Sequence, residues 1–180
     1  INSPPESPEF VNCQFLGNDA LGDRKDMYDG RGGAVYSQHG GFIAHFTDCL
    51  FAYNAADEGG GLSCYDNVGF VFNGCTMVAN FATNSGAALS HATLYPVELN
   101  RCLVAVHEGG NVIATNYGHI DLACTDIYGN AGGDWVGVIE DQATESNNFS
   151  LDPYFCGFHS GAGDFRLRGQ SPCLAENSVC

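Results

Sequence analysis

Apolar and polar residues alternate along most of this chain in short runs, and the runs recur. Five copies of one phrase, apolar-x-x-Cys-x-apolar-x-x-Asn, stand at Phe10 to Asn18, Phe46 to Asn54, Phe72 to Asn80, Leu99 to His107 and Leu122 to Asn130. The fourth copy places His107 at the Asn position, and the fifth places Thr125 at the Cys position. Within and just before each phrase alternate positions are apolar: Ala44, Phe46, Cys49 and Phe51 in one copy, Phe70, Phe72, Cys75 and Met77 in the next. A period of two that slips by one residue before the Cys predicts two short strands meeting at a bend.

A second landmark follows each phrase: Gly32-Gly33-Ala34-Val35, Gly59-Gly60-Gly61-Leu62, Gly86-Ala87-Ala88-Leu89, Gly109-Gly110-Asn111-Val112 and Gly132-Gly133-Asp134-Trp135. From its apolar residue to the next Asn position the steps are 19, 18, 18 and 18, whereas from Asn to that apolar residue they are 17, 8, 9, 5 and 5. A constant part joined by one variable connection describes a solenoid with a loop edge. Hexapeptide repeats of the left-handed kind are absent, and β-propeller blades need longer units and antiparallel hairpins. The expected fold is therefore all-β, a right-handed parallel β-helix of about five coils over residues 1–135. Residues 136–180 leave the repeat and form a loop-rich cap of the same domain, with a polar stretch at Asp141–Asn148.

The repeat changes how the nine cysteines read. Cys13, Cys49, Cys75 and Cys102 share one position, and an interior stack of small side chains explains them better than disulfides do. Asn18, Asn54, Asn80 and Asn130 likewise predict an internal amide ladder, with His107 capping a turn in the same column. Of the remaining cysteines, a bridge from Cys156 to Cys173 or Cys180 would pin the cap. An odd total leaves at least one thiol free or paired between chains.

Charge narrows the partners. Twenty-one acids face six bases, a formal charge of −15, which argues against nucleic acid. No apolar run spans a membrane, so membrane insertion is not expected. Ile1-Asn-Ser-Pro-Pro has no signal-peptide character, and the expectation is of a mature or excised chain.

The Phe-x-x-Asn steps (Phe15 to Asn18, Phe51 to Asn54) with Gly32-Gly33-Ala34-Val35 resemble the paired motifs of polymorphic outer-membrane protein repeats. More broadly, residues 8–135 resemble the right-handed β-helix repeats of the pectate-lyase-like superfamily. The tail, Asp152-Pro-Tyr-Phe-Cys156 and Asp164-Phe-Arg-Leu-Arg168, is similar to the closing segment of secreted bacterial β-helix proteins. The resemblance implies a secreted or cell-surface location. Its members include lyases, hydrolases, adhesins and structural proteins, so it implies no single activity.

Candidate chemistry lies on the variable edge. Proton abstraction beside a carboxylate needs a base and a cation, and the long first loop holds Lys25 and Arg31 with Asp23, Asp26, Tyr28 and Asp29. Asp57 and Glu58 follow on the next coil and complete the ligand-binding candidates, with Lys25, Arg31 and Asp57 as the set to test for lyase or hydrolase activity. Calcium is the cofactor that these carboxylates suit. The histidines show no zinc spacing. Asn148-Phe-Ser150 is a glycosylation sequon on a loop. The leading expectation is a structural or adhesive module, able to stack end to end on itself through an open N-terminal coil. The alternative is a module that binds or degrades a surface polysaccharide at the loop edge.

Overall fold

The computed structural model describes residues 6–22, 30–157, 163–178 and 180. Its chain winds through short strands, all paired in parallel. The first coil carries β1 (Glu9–Val11), β2 (Gln14–Leu16), β3 (Asp19–Ala20) and β4 (Val35–Gln38). The second has β5 (Phe42–Thr47), β6 (Leu50–Ala52), β7 (Ala55–Glu58) and β8 (Leu62–Asp66), and the third β9 (Val68–Asn73), β10 (Thr76–Val78), β11 (Phe81–Ser85) and β12 (Leu89–Thr93). The fourth contributes β13 (Val97–Asn100), β14 (Leu103–Ala105), β15 (Glu108–Gly109) and β16 (Ile113–Tyr117), and the fifth only β17 (Asp121–Ala123) and β18 (Asp126–Tyr128).

Corresponding strands stack into four sheets: β1-β5-β9-β13-β17, β2-β6-β10-β14-β18, β3-β7-β11-β15 and β4-β8-β12-β16. The fold is thus an all-β parallel solenoid. The expected count of about five coils is reduced, because the fifth contributes only two of the four strands. One landmark is also shifted: Leu62 and Leu89 align with Ile113, not Val112, and Trp135 has no strand at all. Asn111 and Val112 supply one residue more to that corner than the glycine pattern implied.

The slip before each Cys is a corner. Asn12, Asp48, Gly74, Arg101 and Cys124 all have φ between 51° and 63°, the left-handed conformation that turns the first sheet into the second. Only Gly74 adopts it without a Cβ penalty, which elsewhere is of order 1 kcal/mol. Packing repays that cost. Phe10, Phe46 and Phe72 stack at 4.9 and 5.0 Å, and Phe15 lies over Phe51 at 4.7 Å. In-register pairing places like on like, so one side chain's shape dictates its neighbour's.

Residues beyond the fifth coil do two jobs. A 3₁₀ turn at Gly137–Gln142 seats the buried Ile139 under the last coil. The chain then runs along the outside of the second sheet, where Phe155, Phe165, Leu167 and Cys173 cover Ala52, Val78, Leu103 and Ala105. The tail is therefore both an end cap and a flank cover. The expected Cys156 bridge is corrected: the disulfide joins Cys124 to Cys180, while Cys156 and Cys173 are thiols. Cys124 sits one residue before the ladder position, at the left-handed corner, and so falls outside the repeated cysteine column.

Candidate functional site

The residues first noticed in the sequence form the interior. Asn54 N–H and Nδ2 both donate to Asn80 Oδ1 (2.9 Å each), and Asn54 Nδ2 also donates to the Phe15 carbonyl at 3.0 Å. Asn18 repeats this toward Asn54, at 3.0 and 2.8 Å. His107 continues the column: its Nδ1 accepts from Asn80 N–H (3.1 Å), and Nε2 lies 3.1 Å from the Met77 carbonyl. An accepting Nδ1 fixes the neutral Nε2–H tautomer. Burial accordingly pulls this imidazole down to about 4.

The cysteine column carries hydrogen bonds as well as packing. The Cys49 thiol contacts the Phe10 and Thr47 carbonyls at 3.4 and 3.3 Å, and Cys75 repeats this with Phe46 and Asn73. Thr125 does the same with its hydroxyl, to Leu99 and Ala123 at 3.1 Å each. That equivalence explains why Thr stands in for Cys: the position asks for a small donor that satisfies corner carbonyls. Burial pushes the Cys49 and Cys102 thiols up, so they stay protonated.

On the variable edge, Lys25, Asp23, Asp26, Tyr28 and Asp29 lie outside the described residues. Arg31, Asp57 and Glu58 come together. Arg31 Nε lies 3.5 Å from Glu58 Oε2, its guanidinium sits 4.1 Å over the Tyr65 ring, and Tyr65 donates to Glu58 at 2.8 Å. Asp57 is buried and accepts from Thr83 at 2.6 Å. The carboxylates are thus engaged by neighbouring side chains, and the cluster ties β7 and β8 to the chain entering β4. Among the described residues, no group of three His, Cys, Asp or Glu is placed to hold a metal ion.

A groove without any counterpart in the repeat pattern runs along the second sheet, beside the tail. It measures about 600 Å³ and is bounded by Gln14 and Leu16 on one side and by Asp164, Phe165 and Arg166 on the other. Tyr53, half-exposed and 5.5 Å from Phe165, also lines it, with Asp48 and Thr76. Asp164 is paired bidentately with Arg166, which holds its carboxyl at about 2.

The two ends of the solenoid differ. At the C-terminal end, Gln142 uses its side-chain amide as a substitute peptide, accepting from Leu122 N–H and donating to the Ile120 carbonyl, both at 2.8 Å. Asn148 accepts from Thr125 N–H and donates to the Leu122 and Gln142 carbonyls, each at 3.0 Å. Asp134 ends the amide ladder by accepting from both nitrogens of Asn130 at 2.8 Å. Asn148, the first residue of the sequon, is buried with its amide committed. At the N-terminal end, among the described residues, nothing donates to Asn18 Oδ1, and Phe10, Cys13 and Phe15 are only partly covered.

No protein-family model matches the chain, and no curated protein or solved structure matches it.

Proposed function

We propose that this chain is an extracellular structural and adhesive module that associates through its N-terminal coil. The observation that supports this reading is the one-sided capping. Side-chain amides and a carboxylate close the C-terminal rung, while at the opposite rung, among the described residues, no strand pairs with the outer edges of β1 to β4, and the rings of Phe10 and Phe15 are only partly covered. A filament needs complementary open ends on each copy, and here one end is shut. Two copies would instead meet open end to open end about a two-fold axis, and growth stops at a dimer. Each copy carries a charge of −15, so the interface forms against repulsion and tightens as salt is added.

Sedimentation of the 180-residue chain at low and high ionic strength tests this. The reading expects a dimer that strengthens with salt and dissociates in Phe15→Glu, with an unchanged circular dichroism spectrum. A monomer at every salt concentration and at millimolar protein would refute it.

The groove beside Tyr53 favours a second reading, adhesion through a glycan. A half-exposed aromatic face next to Gln14, Asp48 and Thr76, none bonded to a described residue through its side chain, suits the apolar face and hydroxyls of a pyranose. Net negative charge disfavours the acidic polymers that a lyase acts on. Calorimetry with neutral maltohexaose and with polygalacturonate separates the cases: binding of the neutral oligomer, lost in Tyr53→Ala, supports the groove. Binding of polygalacturonate alone, sensitive to Arg31→Ala, would return the site to the loop edge.

A further inference from the structure

One cavity collects chemistry that neither the ladders nor the association face uses. It encloses about 200 Å³ outside the corner between the first two sheets, and Cys124, Cys180, Cys173 and Asp126 all line it. Cys124 and Cys180 form the disulfide. The Cys173 thiol donates to Asp126 Oδ2 at 3.1 Å, and Asp126, almost fully buried, takes a second hydrogen bond from Leu151 N–H at 3.0 Å. A thiol, a carboxylate that can take its proton and a disulfide thus share one small enclosure. Cys180 is exposed, whereas Cys173, itself part of the tail, is half-buried.

We propose that this cavity is a thiol–disulfide exchange site, in which Cys173 displaces Cys180 from Cys124. Asp126 accepts the proton from Cys173 Sγ. The resulting thiolate attacks Cys124 Sγ, the Cys173–Cys124 bond forms, and the Cys124–Cys180 bond breaks. Cys180 leaves as a thiolate into water and takes up a proton, so the exchange consumes no oxidant or reductant. The sulfur that leaves is the exposed one, whose anion water can stabilise. Moving the bridge from 180 to 173 shortens the closed loop by seven residues, so closure entropy favours the shorter loop by only about 1.2-fold. The tail stays tethered over the second sheet in both states. What changes is that the exposed Cys180 thiol becomes free to form a mixed disulfide with another thiol-bearing chain.

The pair is set for slow exchange. Desolvation raises the Asp126 carboxyl to about 6, and burial with the adjacent carboxylate raises the Cys173 thiol far above its ordinary value. At neutral pH the shared proton rests on sulfur. The base is available above about pH 6 and is lost below it, so the rate falls on acidification.

The test is intramolecular. Oxidised protein is held without oxygen or added thiol at mildly alkaline pH, quenched in acid, alkylated and mapped by mass spectrometry. The expected result is a Cys124–Cys173 peptide accompanied by alkylated Cys180, appearing about 10-fold or more slowly in Asp126→Asn. Cys180→Ser, oxidised with glutathione disulfide, should close Cys124 to Cys173. Two outcomes overturn the proposal: a wild-type map that stays at Cys124–Cys180 alone, or Cys180→Ser in which Cys124 carries glutathione while Cys173 remains a thiol. Circular dichroism melting of both variants establishes that they are folded.

Discussion

Replacing Asn80 with alanine isolates what the amide ladder contributes. The side chain is fully buried and makes three hydrogen bonds: its Oδ1 accepts from Asn54 N–H and Asn54 Nδ2, and its Nδ2 donates to the Phe51 carbonyl at 3.0 Å. Truncation leaves the Asn54 backbone N–H without a partner in a dry interior. The Asn54 amide keeps its bond to Phe15, so that group is only partly stranded. A net loss of about 1 kcal/mol per bond, plus desolvation of one orphaned N–H, comes to about 4 kcal/mol.

Asn18→Ala is the internal control. Its Nδ2 makes one bond, to Asn54 Oδ1, which still accepts from Asn18 N–H after the change. The expected cost is about 1 kcal/mol at this exposed position. Urea unfolding reads the difference: with m near 2 kcal/mol/M, the midpoint falls by about 2 M for Asn80→Ala and by about 0.5 M for Asn18→Ala. Equal shifts would refute the reasoning, because they would mean that the ladder is held by packing and not by its hydrogen bonds.

Acidification should destabilise the fold. Burial holds His91 and His107 at about 4 against an ordinary 6.5, so between those pH values the unfolded chain binds protons that the folded one refuses. Stability therefore falls as pH drops through that window, by about 3 kcal/mol for each imidazole. Asp126, raised to about 6 from 3.8, acts in the opposite sense over nearly the same range, so thermal melts should show a steeper acid loss in Asp126→Asn. His107→Asn, which keeps an acceptor for Asn80 N–H, should remove roughly half of the histidine slope. At the corner column, Cys75→Thr should stay within about 1 kcal/mol of wild type in chemical denaturation, and Cys75→Ala should lose more by stripping the donor to Phe46. Gly60→Ala should cost several kcal/mol, since a Cβ there would clash with the Phe81 carbonyl. Gly17→Ala, with φ of 62° but open space, should cost only about 1 kcal/mol in the same assay.

The parts of this structure legible in the sequence are those fixed by a neighbour in register. Phe46 sits between Phe10 and Phe72, Asn80 between Asn54 and His107, and each column repeats a residue type because the stacking geometry repeats. Such constraints leave a period, and a period can be read from one chain. The one misaligned landmark, Val112 for Ile113, fell where a corner gained a residue and the glycine pattern no longer tracked the strand. By contrast, the end cap is built from single side chains imitating a missing coil: Gln142 for a peptide, Asp134 for the next rung of amides, Asn148 for the corner donor. None of these repeats, so none has a pattern.

The same distinction governs the cysteines and the candidate sites. Four thiols were assignable because they share a column, whereas Cys124, Cys173 and Cys180 line one cavity only because the tail folds back over the second sheet. That contact depends on Phe155 and Leu167 finding the apolar flank of Ala52, Val78 and Leu103, a face presented outward by the alternation and left for the tail to cover. The groove beside Tyr53 is the uncovered remainder of that flank, and the exchange cavity lies beneath the cover. On this solenoid, places where a ligand or a sulfur can react arise where the repeat ends and a non-repeating segment crosses it. A substitution within the columns should therefore change stability first, and one along the tail's line of contact should change binding or disulfide pairing with the coils intact.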